Sequence, residues 1–253
     1  MIFMKKKKFF EVEFVVLVVA LSVILVIMSR CIPDGTTRLN IGKSHVGEKA
    51  IALTFDDGPS GHTEMLLDGL NQYNAKATFF VIGSKAEKNP DLVMRAADEG
   101  HLIGNHTYSH PRLTLESPAK AKEDIGKCSE VIKSITGSKP FFVRVPYGDV
   151  TAYQLKYLDT FFVSWSDNIF DWDEDSEQVI YERIMKKAED GAIMLLHDTN
   201  EVTVKAVLRA IPDLQAQGYE FVRVDDLLTR DGDKLAKGIQ YRKCENDKSP
   251  VAY

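Results

Sequence analysis

The stretch Thr54-Phe55-Asp56-Asp57-Gly58-Pro59-Ser60 ends a short apolar run that begins at Ala50. The run predicts a buried strand, and the Gly-Pro pair predicts a turn directly after it. Adjacent carboxylates at the end of a buried strand repel each other unless a cation or a shared proton relieves them. The pair therefore predicts a metal site, provided that other parts of the chain supply further ligands.

Composition limits the classes of protein to which this chain can belong. Its 253 residues are 44% hydrophobic, enough for one large α/β domain or two small ones. Residues 1–30 hold five basic and two acidic residues, so the remainder, with 27 basic against 35 acidic residues, carries a net charge of −8. This acidic body argues against nucleic acid as a partner.

The three cysteines do not predict a metal site. Cys31, Cys128 and Cys244 are too scattered for a zinc-thiolate site. We favour unpaired thiols, and a Cys128–Cys244 bridge outside the cell remains open.

The N-terminal segment predicts a membrane anchor or a secretory signal. Lys5 to Lys8 precede the apolar run from Phe14 to Met28, and a basic segment before an apolar one is typical of both. No small-residue cleavage motif follows, so we favour an uncleaved anchor over residues 1–30. The positive-inside rule then puts the lysines in the cytoplasm and the rest of the chain outside, tethered to the membrane. A secreted protein is the alternative.

Beyond this segment, the pattern predicts one α/β domain. Residues 31–46 predict a linker, 47–230 the domain, and 231–253 a charged C-terminal extension. Seven apolar runs predict strands at Ile51–Phe55, Ala77–Ile82, His101–Gly104, Phe141–Val145, Phe161–Trp165, Ala192–Leu196 and Glu220–Val224. Helical segments between them begin near Asn89-Pro90, Ser117-Pro118, Ser176 and Val202. This alternation predicts parallel strands in a distorted or incomplete (β/α) barrel of about seven strands.

Four further polar sets follow predicted strands, at the end of a barrel where active sites lie. They are residues 105–111, 144–149, 165–172 and 195–199. His106 and His110 share one face if their segment forms a helical turn, and with a strand-end Asp they suit a catalytic metal. Arg144 can hold a carboxylate, or only pair with a surface acid. His197 is a candidate general acid, or a satisfied histidine at a helix start.

Taken together, these five sets resemble the motifs of the metal-dependent polysaccharide deacetylases. The motifs TFDDGPS, HTYSH, RVPYGD, the Asp171-Trp172 pair and LLHD match in order and spacing, over about Gly47 to Leu228. Two positions depart from the family pattern. Asn168 stands where many members have Asp, and Val145 stands where relatives often have Pro or Ala.

The resemblance implies a role for each matching residue. It implies that Asp56 is the catalytic base, that Arg144 positions this base, and that Asp57, His106 and His110 are the metal ligands. Tyr147 would stabilise the oxyanion through its backbone N–H, and Leu195 and Trp172 would form the walls of the acetyl pocket. His197 would be the general acid, and Asp171 would tune it. Among metals, Zn²⁺ comes first for this ligand set, and Co²⁺ or Ni²⁺ could bind it too.

The implied activity is removal of N-acetyl groups from a glycan. A domain tethered outside the membrane faces the cell wall, so N-acetylglucosamine or N-acetylmuramic acid of peptidoglycan is the first choice of substrate. Chito-oligosaccharide and O-acetylated xylan come next. A zinc amidase on the peptide stem and an inactive glycan-binding module remain as other classes, although the complete motif set weighs against the second. The sequence does not predict an oligomeric state.

Overall fold

The structure, a computed structural model, describes residues 46–243. The chain divides into two units, Met1–Gly42 and Lys43–Tyr253, and every described residue belongs to the second. The predicted anchor over 1–30 and nearly all of the predicted linker lie outside the described residues. Cys31 and Cys244 lie outside them too, whereas Cys128 is a buried free thiol. Within 46–243, no helix combines the length and the apolar character needed to cross a bilayer.

The strands of the described chain form one sheet of nine, and all of its pairings are parallel. They are β1 (Ala50–Asp56), β2 (Ala77–Val81), β3 (Leu102–Asn105), β4 (Phe142–Val143), β5 (Phe161–Val163), β6 (Asp167–Asn168), β7 (Ile193–His197), β8 (Glu220–Phe221) and β9 (Gln240–Tyr241). All seven predicted strands are present. The predicted strand at Glu220–Val224 is shorter than expected, because a helix begins at Val224. The extension predicted over 231–253 contains β9.

The sheet is an incomplete barrel with β1 near its middle. Its strand order is β6-β7-β1-β2-β3-β4-β5-β9, with β8 also paired to β1. Three steps across a flat sheet would separate β1 from β4 by about 14 Å. Yet Arg144, which directly follows the last residue of β4, lies 2.9 Å from Asp56 of β1 through its Nη1 atom. The sheet must therefore curl so that the two strands approach across its inner face.

The helices of residues 46–243 connect these strands. They are α1 (Thr63–Gln72), α2 (Gly83–Ala86), α3 (Pro90–Asp98), α4 (Pro118–Thr136), α5 (Ala152–Leu158), α6 (Glu177–Lys187), α7 (Glu201–Ala216) and α8 (Val224–Thr229). The four predicted helices are α3, α4, α6 and α7. Each of the other four has ten residues or fewer. Of these, α5 carries a start signal that we missed, a capping box between Thr151 and Gln154.

Side-chain alternation divides the residues of β1 between two cores. Ile51, Leu53 and Phe55 pack with the helices in the larger core. Ala50 and Ala52 face the smaller core inside the barrel. Because side chains of a strand alternate between its faces, Thr54 and Asp56 continue the inner row. The alternation thus places one carboxylate of the opening pair inside the barrel.

His101 predicts how the stability of this fold depends on pH. Its Nδ1 accepts a hydrogen bond from Ala77 N–H at 3.1 Å, and its buried Nε2 makes no hydrogen bond to the described residues, with Glu99 Oε2 3.9 Å away. Burial, with the charges of Lys76 and Arg95, lowers the pKa of His101 to about 4. The unfolded chain, in which His has a pKa near 6.5, therefore binds this proton more readily. Stability contributed by the neutral ring is present above pH 6.5 and is lost as pH falls toward 4.

The substitution His101→Asn keeps an acceptor for Ala77 N–H and removes the titrating ring. Between pH 7 and pH 4, we expect the free energy of unfolding of the variant to fall by about 3 kcal/mol less than that of the wild type. Urea unfolding at both pH values measures the difference. Equal losses in the two proteins would contradict this account, because the other titrating histidines are common to both.

Candidate active site

Asp56 and Asp57 end up in different surroundings although they are adjacent. Asp56 is the last residue of β1 and is buried on the inner face. Asp57 has a φ of 68°, in the left-handed region, so the strand alternation stops there. Its side chain is 28% exposed, against 4% for Asp56. The change of backbone direction thus turns the second carboxylate toward the rim of the barrel.

Arg144 holds Asp56 from inside the barrel. Its guanidinium is fully buried and donates to Asp56 Oδ1 at 2.9 Å and to Thr54 Oγ1 at 2.6 Å. It also donates to Ser164 O at 2.7 Å, and it lies 4.2 Å from the centroid of the Phe80 ring. Burial lowers the pKa of Arg144 and the charge of Asp56 raises it. The guanidinium charge therefore has a carboxylate partner, and the contact fixes the orientation of that carboxylate.

The second carboxylate, Asp57, meets both predicted histidines. Asp57 Oδ1 lies 3.3 Å from His106 Nε2 and 3.0 Å from His110 Nε2. One ligand atom from each residue falls within a span of 4.8 Å. Burial alone would raise the pKa of Asp57, but the two neighbouring imidazoles lower it below its ordinary value. The carboxylate is therefore ionised beside two nitrogen donors.

These residues fit a divalent metal ion. Asp57 Oδ1 is buried and accepts no hydrogen bond from the described residues. His106 Nδ1 lies 2.8 Å from Arg144 O, and since a carbonyl only accepts, Nδ1 carries the proton and Nε2 presents its lone pair. Two imidazoles and one carboxylate leave coordination positions open, which is typical of catalytic rather than structural sites.

The segment that carries His106 and His110 does not form the helical turn that would place both side chains on one face. Residues 106–112 form an irregular loop in which Thr107 and His110 have φ values of 65° and 60°. Asp124 of α4 holds this loop, accepting hydrogen bonds from Tyr108 N–H at 2.6 Å and Ser109 N–H at 3.1 Å. A loop pinned at its backbone therefore brings the imidazole rings within 5.0 Å of each other, measured between their centroids.

His197 stands beside Asp56 because of strand register. The two residues are partners in the β1–β7 ladder and lie in the same inner row. His197 Nδ1 lies 3.0 Å from Asp171 Oδ1, and His197 N–H donates to Asp171 Oδ2 at 2.8 Å. Burial opposes the charged ring, but the hydrogen bond and charge of Asp171, with the charges of Asp56 and Asp57, raise the pKa of His197 to about 9. The imidazole is therefore protonated at neutral pH and can donate a proton.

The three remaining predicted residues lie at the rim or below it. Tyr147 has a φ of 62° and places its ring 4.9 Å from that of His110, between centroids. Leu195 is buried in the inner row of β7, paired with Thr54. Trp172 follows Asp171 in a short 3₁₀ turn, but its indole is 62% exposed. Its part in a pocket wall therefore stays a prediction.

Several residues that complete the site escaped the sequence analysis. Thr54 accepts from Arg144, and Thr203 Oγ1 donates to Asp171 Oδ2 at 3.1 Å. The ring of Trp165 lies 5.9 Å from the guanidinium carbon of Arg144, measured to the ring centroid. The signal for Thr54 was available, because a polar residue two positions before Asp56 in a buried strand must share its face.

Comparison with known proteins agrees with the resemblance found in the sequence. A family described as polysaccharide deacetylase matches residues 43–161. The peptidoglycan-N-acetylmuramic acid deacetylase PdaA of Bacillus subtilis is 37% identical over 189 residues, which cover 72% of this chain and 72% of PdaA. The chain therefore belongs to the polysaccharide deacetylase family. The family match ends before Asp171, Trp172, Leu195 and His197.

Two further relatives have names that mention a substrate or a metal. The peptidoglycan-N-acetylglucosamine deacetylase PgdA of Listeria monocytogenes is 40% identical over 194 residues, which cover 76% of this chain but only 41% of PgdA. Among solved structures, a family 4 acetyl xylan esterase from Clostridium thermocellum in complex with a cobalt ion has a TM-score of 0.73 at 32% identity, covering 77% of this chain and 98% of the esterase.

The geometry of the metal site predicts the effect of removing its carboxylate. The variant Asp57→Ala leaves two neutral imidazoles and is expected to lose at least about tenfold in zinc affinity, because a charged ligand is gone. Competition of the purified protein with a chromogenic chelator measures the affinity. Asp68→Ala, which removes an exposed carboxylate paired with Arg95, serves as the control and should bind zinc as the wild type does. An Asp57→Ala protein with wild-type affinity would contradict the ligand assignment.

The pair of His197 and Asp171 predicts a pH profile. A general acid works only while protonated, so the rate should fall as pH rises through the pKa of His197. Asp171→Asn removes the negative charge that raises this pKa, so the alkaline fall in kcat/KM should move to lower pH by about one unit or more. Thr203→Val, which removes only a neutral donor to the same carboxylate, is the control and should shift the profile less. An unmoved alkaline limb in Asp171→Asn would contradict the assignment.

Proposed function

We propose that this chain is a metal-dependent deacetylase that hydrolyses N-acetyl groups of cell-wall amino sugars and releases acetate. The observation that carries the proposal is the pairing of Asp56 with His197 across adjacent strands, next to the Asp57, His106 and His110 set. The carboxylate of Asp56 is held in place by Arg144, and the imidazole of His197 is kept protonated by Asp171. A base and an acid thus stand on either side of a position for the acetamide.

The base acts first in this proposal. A divalent ion held by Asp57, His106 and His110 would lower the pKa of water and polarise the acetamide carbonyl. Asp56 Oδ2 lies 3.7 Å from His106 Nε2, so its free oxygen faces the ligand set while Oδ1 is held by Arg144. Asp56 therefore takes the proton of the attacking water. Hydroxide adds to the carbonyl carbon, and Tyr147 N–H stabilises the developing oxyanion.

The acid completes the reaction. An amide nitrogen leaves readily only once it is protonated, so a donor must stand near it. His197 supplies this proton from its Nε2 atom, because its Nδ1 is engaged by Asp171. The C–N bond then breaks, leaving acetate and the free amine of the sugar. Leu195, and Trp172 at the rim, form the walls that receive the acetyl methyl group.

Zinc is the proposed metal. Two imidazoles and one carboxylate with open positions are a common catalytic zinc set, and cobalt or nickel suits the same ligands. A solved relative in complex with cobalt supports a site of this kind in the family.

Peptidoglycan is the proposed substrate, with N-acetylglucosamine or N-acetylmuramic acid as the deacetylated sugar. Relatives named as deacetylases of each sugar support this choice. We further propose that residues 1–30 tether the domain to the cell membrane in a single pass, with the domain on the outer face, where it meets the wall. This part of the proposal depends on Lys5 to Lys8 and the apolar run after them.

Conversion of the base to its amide tests the mechanism. Asp56→Asn keeps the shape of the side chain but cannot take a proton, so turnover should fall by a factor of about 10² to 10⁴. Zinc affinity should stay near that of the wild type, since Asp56 is not a ligand. Acetate release and chelator competition measure the two properties. Unchanged turnover would contradict the base assignment, and lost zinc would show that Asp56 binds the metal.

Substrate choice is tested by the products. The zinc-loaded protein is incubated separately with peptidoglycan, chito-oligosaccharide and acetylated xylan, and the glycans are examined by mass spectrometry. We expect loss of acetyl groups, fastest from peptidoglycan. Loss of stem peptide instead would indicate an amidase, and no product from any glycan would indicate a binding module. Asp57→Ala protein serves as the inactive control.

A further inference from the structure

The buried carboxylate of Asp198 has no part in the mechanism above. It follows His197 at the end of β7 and is 0% exposed. Its Oδ1 is buried without a hydrogen-bond partner among the described residues, and burial raises the pKa of Asp198 to about 6. Placing such a group in the interior costs free energy unless its surroundings compensate for it.

Within residues 46–243, hydrogen bonds join Asp198 to the segment that follows Asp57. Thr63 Oγ1 donates to Asp198 Oδ2 and accepts from Ser60 N–H at 2.7 Å. Ser60 Oγ donates to the backbone oxygen of Asp198 at 2.6 Å. Asp198 thus contacts the loop of residues 57–62 and Thr63 at the start of α1, both through its carboxylate and through its main chain.

Gly58 shows how closely the loop lies against this carboxylate. A Cβ atom added at Gly58 would lie 2.7 Å from both carboxylate oxygens of Asp198. The residue directly after the metal ligand therefore has room for no side chain. The neighbouring backbone is held as well, because Lys85 Nζ donates to Asp57 O at 2.8 Å. The backbone of Asp57 and Gly58 therefore contacts both Lys85 and Asp198.

We propose that Asp198 is a positioning residue that fixes the loop bearing Asp57 in place for metal binding. Because Asp198 is bonded to His197 through the chain, one strand end sets both the general acid and the metal-ligand loop. This inference rests on the proposed function only in that Asp57 binds a metal. Asp198 acts through Thr63 and Ser60, without contact to substrate.

Zinc affinity tests the inference independently of deacetylation. Zinc binding is measured by chelator competition for the wild type, Asp198→Ala and Asp198→Asn, with urea unfolding of each. We expect Asp198→Ala to weaken zinc binding by about tenfold or more, as loss of outer partners of a metal site does. Asp198→Asn still accepts from Thr63 and should restore most of the affinity, a rescue that general loss of stability does not predict.

Two further variants separate positioning from stability. Asp225→Ala removes another buried aspartate, which lies on α8 and accepts a hydrogen bond from Arg223. This variant should have lower stability without weaker zinc binding. Thr63→Val should weaken zinc binding, and the double variant with Asp198→Ala should lose less than the two single losses multiplied together, because the two residues act through one contact.

Wild-type zinc affinity in Asp198→Ala would overturn the inference and leave the proposed function standing. Equal losses of affinity in Asp225→Ala and Asp198→Ala would also overturn it, by reducing the effect to stability. Failure of the wild type to bind zinc would instead overturn the metal-dependent function itself.

Discussion

The buried ion pair between Arg144 and Asp56 is the constraint on which the inner face of this barrel depends. A guanidinium taken from water into the interior is costly unless its donors are satisfied. Here the acceptors come from β1 and from the segment around Ser164, and an aromatic ring of β2 lies against the guanidinium plane. The charge can be satisfied only when the sheet is curled. The carbonyl of Arg144 also accepts a hydrogen bond from His106 Nδ1, so Arg144 orients the proposed base and one proposed metal ligand together.

The adjacent carboxylates Asp56 and Asp57 reduce their mutual repulsion because their side chains point in different directions and contact different groups. Strand alternation carries Asp56 inward to Arg144, and a left-handed residue turns Asp57 outward to the histidines. Each carboxylate therefore has its own neighbours, a guanidinium for Asp56 and two imidazoles for Asp57. A single strand end can in this way supply a proton acceptor and a metal ligand without the two competing for one partner.

Much of this arrangement follows from local sequence, and some of it does not. The apolar runs located all seven predicted strands, and the polar sets at their ends were correctly expected to share one edge. The helical turn that would place His106 and His110 on one face does not form, because hydrogen bonds donated by the loop backbone to Asp124, sixteen residues further along the chain, shape that loop. Strands β6 and β9 have two residues each and no apolar run, so only their pairing defines them. The contact of Arg144 with Thr54 depends on curvature, which no local pattern encodes.

The shortness of β6 and β9 limits how far the sheet can pair with the sheets of other copies of this domain. An open sheet, unlike a closed barrel, exposes unpaired backbone groups at both ends, and such edges can recruit strands from other chains. In the described sheet these ends are β6 and β9, and neither offers more than two residues for pairing. The apolar strand β5 is covered by β9. The barrel can therefore remain open while presenting little backbone template for aggregation.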